Sequence, residues 1–285
     1  MKSAPFRYSA PASIAQATAL LAELGDDGKV IAGGQSLVPM MNFRLVRPGH
    51  LVDINRIAEL DYVRVEQSEL RIGALARHVR FERALAPGPL GALLPSIARH
   101  IAHLPIRTRG TFVGSLAHAD PAAEWCTVAV TLDAEITAES SSGRRTIPAR
   151  ELFRTLFTTA LTPGELITEV RLPVLSDDWK AGFCEFSRRA GDYAIVLAVV
   201  AVRLSGERIA EARVGLGGVA DRPIRAPGAE AALVGATAGA DAFAAAGHAA
   251  AEGVEPLEDV QASAGYRRDL VRVMVRRALE GALRP

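Results

Sequence analysis

Two short stretches with little side-chain bulk constrain this chain more than any other feature: Ala32-Gly33-Gly34-Gln35-Ser36 and, far downstream, Thr111-Phe112-Val113-Gly114-Ser115-Leu116-Ala117-His118-Ala119-Asp120-Pro121. Each places glycines and hydroxyls where a backbone closes on a phosphate. Together they predict a fold that brings both to one dinucleotide. A Cβ at the glycines would hold a diphosphate away from the amides and would disfavour positive φ. Taken alone, the first stretch also reads as a plain strand-turn-helix connection, because it lacks the G-x-G-x-x-G spacing of a Rossmann turn and the G-K-[ST] ending of a P-loop.

The flanking residues supply the scaffold. Ser13 and Gln16 have the spacing of a capping box, Ile14, Ala17, Leu21 and Leu24 share one helical face, and Gly25 marks the stop. A strand over Val30-Ile31-Ala32 runs into the glycines, and Ser36 is placed to cap a short helix through Leu37, Met40, Met41 and Phe43. The free amides at that helix start are an anion site in embryo. Further strands are expected at Leu51 to Ile54 and Glu69 to Ala74. A helix with Leu93, Leu94, Ile97 and Ile101 facing inward follows, with His100 and His103 at its end as cations favoured by the helix terminus. Arg107 to Ser115 is too polar and glycine-broken for a core strand and reads as a functional loop. Ala119-Asp120-Pro121 turns into a helix through Ala122, Ala123, Cys126, Val130 and Leu132. Ile136-Thr137-Ala138 and Arg144 to Ile147 flank a Ser-Gly turn as a hairpin, and Leu166 to Pro173 is a strand. Beyond Ser176 the pattern predicts strands at Gly182 to Arg188 and Ala212 to Gly218, and helices at Ala226 to Val234 and Asp269 to Leu283 around an alanine-rich segment, Ala236 to Ala251. Arg222-Pro223-Ile224-Arg225 reads as a solvated turn, with a partner contact as the alternative.

Composition closes off several classes. With 33 basic and 32 acidic residues the formal charge is +1, and no basic stripe suited to nucleic acid appears. The longest apolar run, Tyr193 to Val202, is about half the length of a membrane-crossing helix. The amino terminus shows no apolar stretch behind its positive charge, so a cytoplasmic location is expected. Cys126 and Cys184 are too far apart in sequence for a local redox or metal motif, and they read as buried free thiols. There is no G-x-S-x-G elbow, clustered carboxylate pair or metal constellation, so no residue is expected to be catalytic in its own right.

Ala32 to Leu37, then Arg109-Gly110-Thr111 through Gly114-Ser115-Leu116-Ala117-His118-Ala119-Asp120-Pro121, then Arg188-Arg189-Ala190-Gly191-Asp192-Tyr193-Ala194 recur in this order in the FAD-binding medium subunits of molybdenum hydroxylases, which the chain resembles from Tyr8-Ser9-Ala10-Pro11 to its last helix. That family includes carbon monoxide dehydrogenase, quinoline oxidoreductase and, as a fused chain, xanthine dehydrogenase. The resemblance implies an α+β fold. A p-cresol methylhydroxylase-type FAD-binding domain over residues 1–175, in subdomains of about 1–57 and 58–175, precedes a smaller lobe of antiparallel sheet plus helices over 176–285. It implies FAD on this chain, and [2Fe-2S] clusters and a molybdenum cofactor on small and large partner subunits. The assembly it implies is a dimer of heterotrimers, a heterohexamer, in which this subunit's FAD passes electrons to an external acceptor.

Position by position, the resemblance carries cofactor binding to Ala32, Gly33, Gly34, Gln35, Ser36 and Leu37, and to Thr111, Gly114 and Ser115, with Ala119 and Asp120 in the same motif. It implies an apolar contact at Ile101, a polar one at Glu124, a further contact near Ile167, and an aromatic beside the flavin ring at Tyr193. Cys184 falls near a position held by lysine in the animal enzymes. The chain departs from the pattern at Val113, where the family has glycine. A β-branched residue is disfavoured at positive φ, so either this segment is extended or FAD is held less tightly. The latter leaves room for a flavin-free scaffold subunit, and a self-contained flavin oxidoreductase is a further alternative.

Overall fold

The computed structural model describes residues 2–284. The chain begins with β1 (Arg7–Ser9), α1 (Ile14–Leu24), β2 (Gly28–Ile31), α2 (Leu37–Asn42) and β3 (His50–Asp53), whose strands form a parallel sheet in the order β1-β3-β2. At the start of α1 the Ser13 hydroxyl accepts from the Gln16 amide, and the Gln16 side chain accepts from the Ala12 amide. One orphan donor of the first turn and the amide just before the cap are thereby satisfied, and Gly25 leaves the helix at φ +54°. Ala17 and Leu21 then seat the helix on the core.

A second unit contains β4 (Val63–Glu66), β5 (Glu69–Gly73), α3 (Gly88–Ala98), α4 (Leu104–Arg107), α5 (Phe112–His118), α6 (Glu124–Thr131), β6 (Glu135–Ser140), β7 (Gly143–Pro148), α7 (Ala149–Leu152), β8 (Phe153–Thr155), β9 (Thr158–Thr159) and β10 (Leu166–Pro173). Five of its strands form an antiparallel sheet in the order β4-β5-β10-β6-β7. Leu70, Ile72, Ile136, Val170 and Leu172 are buried in the core. Arg71, Glu135 and Arg171, which alternate with them along the strands, join an ion-pair network with Glu69 and Glu169. Under the sheet, Phe81, Phe112 and Trp125 pack with ring centroids 4.8–5.3 Å apart. The Trp125 indole donates to His78 Nδ1 at 3.0 Å, and burial pushes His78 down to about 4, so its imidazole is neutral at ordinary pH.

The remaining chain forms an antiparallel meander of β11 (Trp179–Phe186), β12 (Val196–Ser205), β13 (Arg208–Gly217) and the short edge strand β14 (Ile224–Arg225), followed by α8 (Pro227–Leu233), α9 (Ala240–Glu252) and α10 (Ala264–Ala282). Its central strand, β12, lies on the apolar run that is too short to cross a membrane. No alternation marks it because both faces are covered: Leu197, Val199 and Ala201 join the first core, while Ala198, Val200 and Val202 join the second, under the helices. Each such Val or Leu contributes about 1.5–3 kcal/mol by leaving water. The sheet also receives α6 closely, since a Cβ at Gly215 would lie 1.7 Å from Thr131 Oγ1 and one at Gly217 would lie 2.5 Å from Thr127 Oγ1. Arg222 to Arg225 is not a solvated turn, because Ile224 and Arg225 pair with β13 and Arg225 binds Glu230 and Asp133.

Candidate functional site

The site is built where the first sheet's glycine turn meets the segment entering α5. Gly33 lies against Arg109 and Gly110 so closely that a Cβ would stand 2.3 Å from the Arg109 carbonyl oxygen and 2.7 Å from the Gly110 Cα. The two side-chain-poor stretches are therefore neighbours. They are also joined through a third party: Asn55, just beyond β3, donates to the Ala32 carbonyl at 2.8 Å, and the Arg77 guanidinium donates to both Asn55 Oδ1 and the Arg109 carbonyl. Burial lowers the Arg77 pKa. Sequence reading passes over this Asn55–Arg77 brace. Asn55 follows a buried strand closely enough to be noticed, but no local pattern marks Arg77.

The two walls are made differently. Gly34 turns the first at φ +70°, and the amides of Val38 and Met40 bond to the Gly34 and Ser36 carbonyls. Ser36 itself is helical and makes no side-chain cap, contrary to the expectation of a hydroxyl-capped helix start. Its hydroxyl instead faces the phenol of Tyr193. Gln35 folds back onto the Gly33 carbonyl at 3.0 Å, and Leu37 begins α2.

On the second wall, Arg107 to Ser115 is not one loop. It comprises the end of α4, a short connection and the first turn of α5, which Thr111 caps by accepting from the Gly114 amide at 2.9 Å. The Ser115 amide goes to the Thr111 carbonyl and the Phe112 amide to the Ala76 carbonyl, while the Arg77–Thr111 bridge and the bond from the His78 amide to the Gly110 carbonyl anchor the entry. Gly114 therefore contributes chiefly its missing side chain; a Cβ there would lie 2.7 Å from Thr111 Oγ1. Val113 is buried within α5 at negative φ, so the strain feared for a β-branched residue does not arise, and the segment is helical rather than extended.

Behind this wall the chain turns sharply. Ala119 closes α5 in the left-handed region at φ 54°, and Asp120 accepts from the Ala122 amide at 2.9 Å. Burial raises the Asp120 carboxyl and, with Asp120 adding to it, raises Glu124 at the start of α6. Tyr193 is half exposed, yet desolvation and then the Asp120 and Glu124 charges push its phenol far above the ordinary range. Two further predicted residues, Ile101 and Ile167, are buried. Ile101 is buried beyond α3, and its carbonyl and that of Ala102 accept from Arg107. The loop bearing Tyr193 packs there too, since a Cβ at Gly191 would meet His103 at 2.8 Å. Ile167 is buried in β10 at a bulge opposite β6. His100 is not a helix-end cation: its ring meets Phe183 at 5.1 Å and burial lowers its pKa. Cys126 is buried and Cys184 is half-buried on β11.

A cavity of about 500 Å³ opens beside Tyr193, lined also by Arg188, Arg189 and Asp192. One of about 520 Å³ lies on the charged side of the five-stranded sheet and includes none of the predicted site residues. Of the two, only the first includes a predicted site residue, Tyr193. With Gly33 against Gly110 and the half-buried Ser36 and Ser115 on the two walls, the site suits a dinucleotide pyrophosphate.

Residues 4–175 match the model of the FAD-binding domain in molybdopterin dehydrogenase, and residues 181–282 match that of the CO dehydrogenase flavoprotein C-terminal domain. The chain is 45% identical to the 6-hydroxypseudooxynicotine dehydrogenase complex subunit alpha of Paenarthrobacter nicotinovorans, over 99% of this chain and 96% of that one. It superposes with a TM-score of 0.94 and 38% identity on carbon monoxide dehydrogenase from Hydrogenophaga pseudoflava, covering 99% of this chain and 98% of that one. On quinoline 2-oxidoreductase from Pseudomonas putida 86 the TM-score is 0.91 at 36% identity, with 99% and 98% covered.

Proposed function

The chain belongs to the family of FAD-binding medium subunits of molybdenum hydroxylases, and from that premise we propose that it holds FAD between Ala32–Leu37 and Thr111–Ser115 and relays electrons to an external acceptor. In this reading the electrons come from [2Fe-2S] clusters on a small subunit, after the organic substrate has been hydroxylated at the molybdenum cofactor of a large one. The trimer doubles into a dimer of heterotrimers working in the cytoplasm. Residues 1–57 and 58–175 clasp the cofactor, and 176–285 form the C-terminal lobe.

The observation that carries the reading is the approach of Gly33 to Arg109 and Gly110. Flavin accepts electrons singly and releases them in pairs, and the protein supplies binding, orientation and electrostatics. The backbone of the two walls receives the pyrophosphate, Ala119 and Asp120 shape the turn behind it, and Ile101 and Ile167 back the site with apolar bulk. Tyr193 stays protonated through the working pH range, so its phenol O–H remains available to donate and its ring shields the cleft from water. The flavin-free scaffold loses its rationale once Val113 lies unstrained in α5.

The test is the visible spectrum and FAD stoichiometry of the purified complex. One FAD per copy of this chain, with iron-sulfur and molybdenum subunits co-purifying, supports the relay. A colourless complex after FAD loading and desalting overturns it. Flavin reduction by a substrate without any partner present would assign a self-contained oxidoreductase instead.

A further inference from the structure

The two walls of the cleft are joined twice over. Directly, Gly33 abuts the second wall, where an added Cβ would lie 2.3 Å from the Arg109 carbonyl oxygen. Indirectly, hydrogen bonds run from the Ala32 carbonyl to Asn55, from Asn55 to Arg77, and from Arg77 to that same Arg109 carbonyl. Contact and hydrogen bonds together close a ring through the peptide units Ala32–Gly33 and Arg109–Gly110.

The members of the ring are fixed from outside it. Asn55 donates to Asp53 Oδ1 through its backbone amide at 2.8 Å and its side-chain amide at 2.6 Å, and the other oxygen of Asp53 accepts from the Tyr8 hydroxyl of β1. The Asn55 side-chain nitrogen thus faces two acceptors, Asp53 and the Ala32 carbonyl, and its oxygen is left for the Arg77 guanidinium. Turning the amide over would set like against like at every one of these contacts. Arg77 is rooted in the second wall: it bridges to Thr111, and its neighbours Ala76 and His78 bond to Phe112 and Gly110.

Peptide geometry then sets what the ring does to the first wall. The carbonyl and amide of a trans peptide unit point to opposite sides. With the Ala32 carbonyl drawn to Asn55, the Gly33 amide points away from Asn55, and neither it nor the Gly34 amide meets an acceptor among the described residues. Arg77 draws the walls together through the Arg109 carbonyl, and Gly33, meeting that same carbonyl, limits how far they close.

We propose that Asn55 and Arg77 are positioning residues of the cleft, which turn the Gly33 amide toward the cofactor pyrophosphate and fix the separation of the walls without touching the cofactor themselves. The inference rests on the FAD site proposed above. Glycine permits a close approach but does not hold it; the side-chain ring does. The role calls for arginine, because its planar fork reaches Asn55 Oδ1 and the Arg109 carbonyl together, which the single ammonium of a lysine does not reproduce.

The experiment sets FAD affinity of the intact complex, stripped of flavin and titrated with FAD, beside the unfolding midpoint of the FAD-free chain. Wild type is compared with Asn55→Ala, Arg77→Lys, Arg77→Met and the double variant Asn55→Ala with Arg77→Lys. Each single change should weaken FAD about tenfold, the scale of one hydrogen bond lost with its partner left unpaired. The double variant should lose no more than about that, because one break already opens the ring. Midpoints should stay near wild type, since Asn55 is exposed and Arg77 half-buried. Additive losses of about a hundredfold in the double variant, or affinity that falls only in step with the midpoint, overturn the proposal. So does wild-type affinity in Arg77→Lys beside weakened binding in Arg77→Met, because charge alone would then suffice. Unchanged affinity in every variant sinks the ring and leaves the FAD site standing, whereas a wild-type complex that takes up no FAD overturns the site reading instead. Should Asn55→Ala not assemble, the two Arg77 variants decide by the same measurements.

Discussion

The two walls of the cleft differ in what holds them. The second, from Gly110 through α5, is part of the core: Thr111, Phe112, Val113 and Leu116 are all buried, and its entry is bonded to Ala76 and His78. The first, Ala32 to Leu37, has no fully buried residue and is tied to the rest mainly by the Asn55–Arg77 brace and by the contact of Gly33. In the proposed site, a cofactor between one core-built wall and one lightly braced wall would take its rigidity from the first of these. Changes in the second wall should therefore cost stability and flavin together. Changes in the first should cost flavin alone.

The largest expected effect is at Phe112, whose ring stacks on Trp125 and touches Phe81. Phe112→Ala should cost about 3–5 kcal/mol of stability, read by denaturant unfolding, and empty the cleft as well. Next comes acid. His78 is pushed down to about 4 in the folded chain against an ordinary value near 6.5. The unfolded chain therefore binds its proton first, and this contribution to stability falls as pH drops from about 6.5 to about 4, by roughly 3 kcal/mol in all. The raised Asp120, Glu124 and Glu185 carboxyls act in the opposite sense, because the folded chain binds their protons first. Unfolding curves of wild type and His78→Gln over that window separate the two: only wild type should lose the histidine's share.

Gly33→Ala breaks the comparison from the other side. The new Cβ meets backbone atoms of Arg109 and Gly110, which cannot rotate away, so the walls must part. FAD affinity should fall at least tenfold, about 1.4 kcal/mol, while the unfolding midpoint of the cofactor-free protein stays near wild type. Gly265→Ala, where nothing lies within 4 Å of the added carbon, is the control that should leave both unchanged. Joint loss of stability and flavin in Gly33→Ala would show that the first wall is as much a part of the core as the second.

How much of this was legible in the sequence depended on whether the cause was local. The α1 cap, the 135–148 hairpin and the strand ending at Pro173 follow from spacing and turn chemistry, and they formed as expected. The strand at Val196 was hidden because burial on both faces erases the alternation that betrays a strand. The α5 start looked like a loop because its glycine and polar residues are those of a cap followed by a tight approach, and propensity alone does not separate these. The pairing of the two glycine segments was readable as a demand, since neither suffices alone. Its means, Asn55 and Arg77, was not, because a brace between distant segments leaves no periodic trace.

The smallest effect sharpens the contrast most cleanly. Thr111 is 2% exposed and its hydroxyl caps α5 through the Gly114 amide. Thr111→Val keeps the shape but removes the acceptor, which should cost about 1 kcal/mol by the usual worth of an N-cap. Thr111→Ser keeps the acceptor and should recover most of that loss. If flavin affinity follows stability across Val, Ser and wild type, Thr111 serves the cofactor by holding α5 in place. If affinity falls in Thr111→Val well beyond the stability change, the hydroxyl also meets the cofactor directly. Equal stability of Thr111→Val and wild type would remove the cap from what makes the second wall rigid, leaving the buried Phe112, Val113 and Leu116 as its anchor.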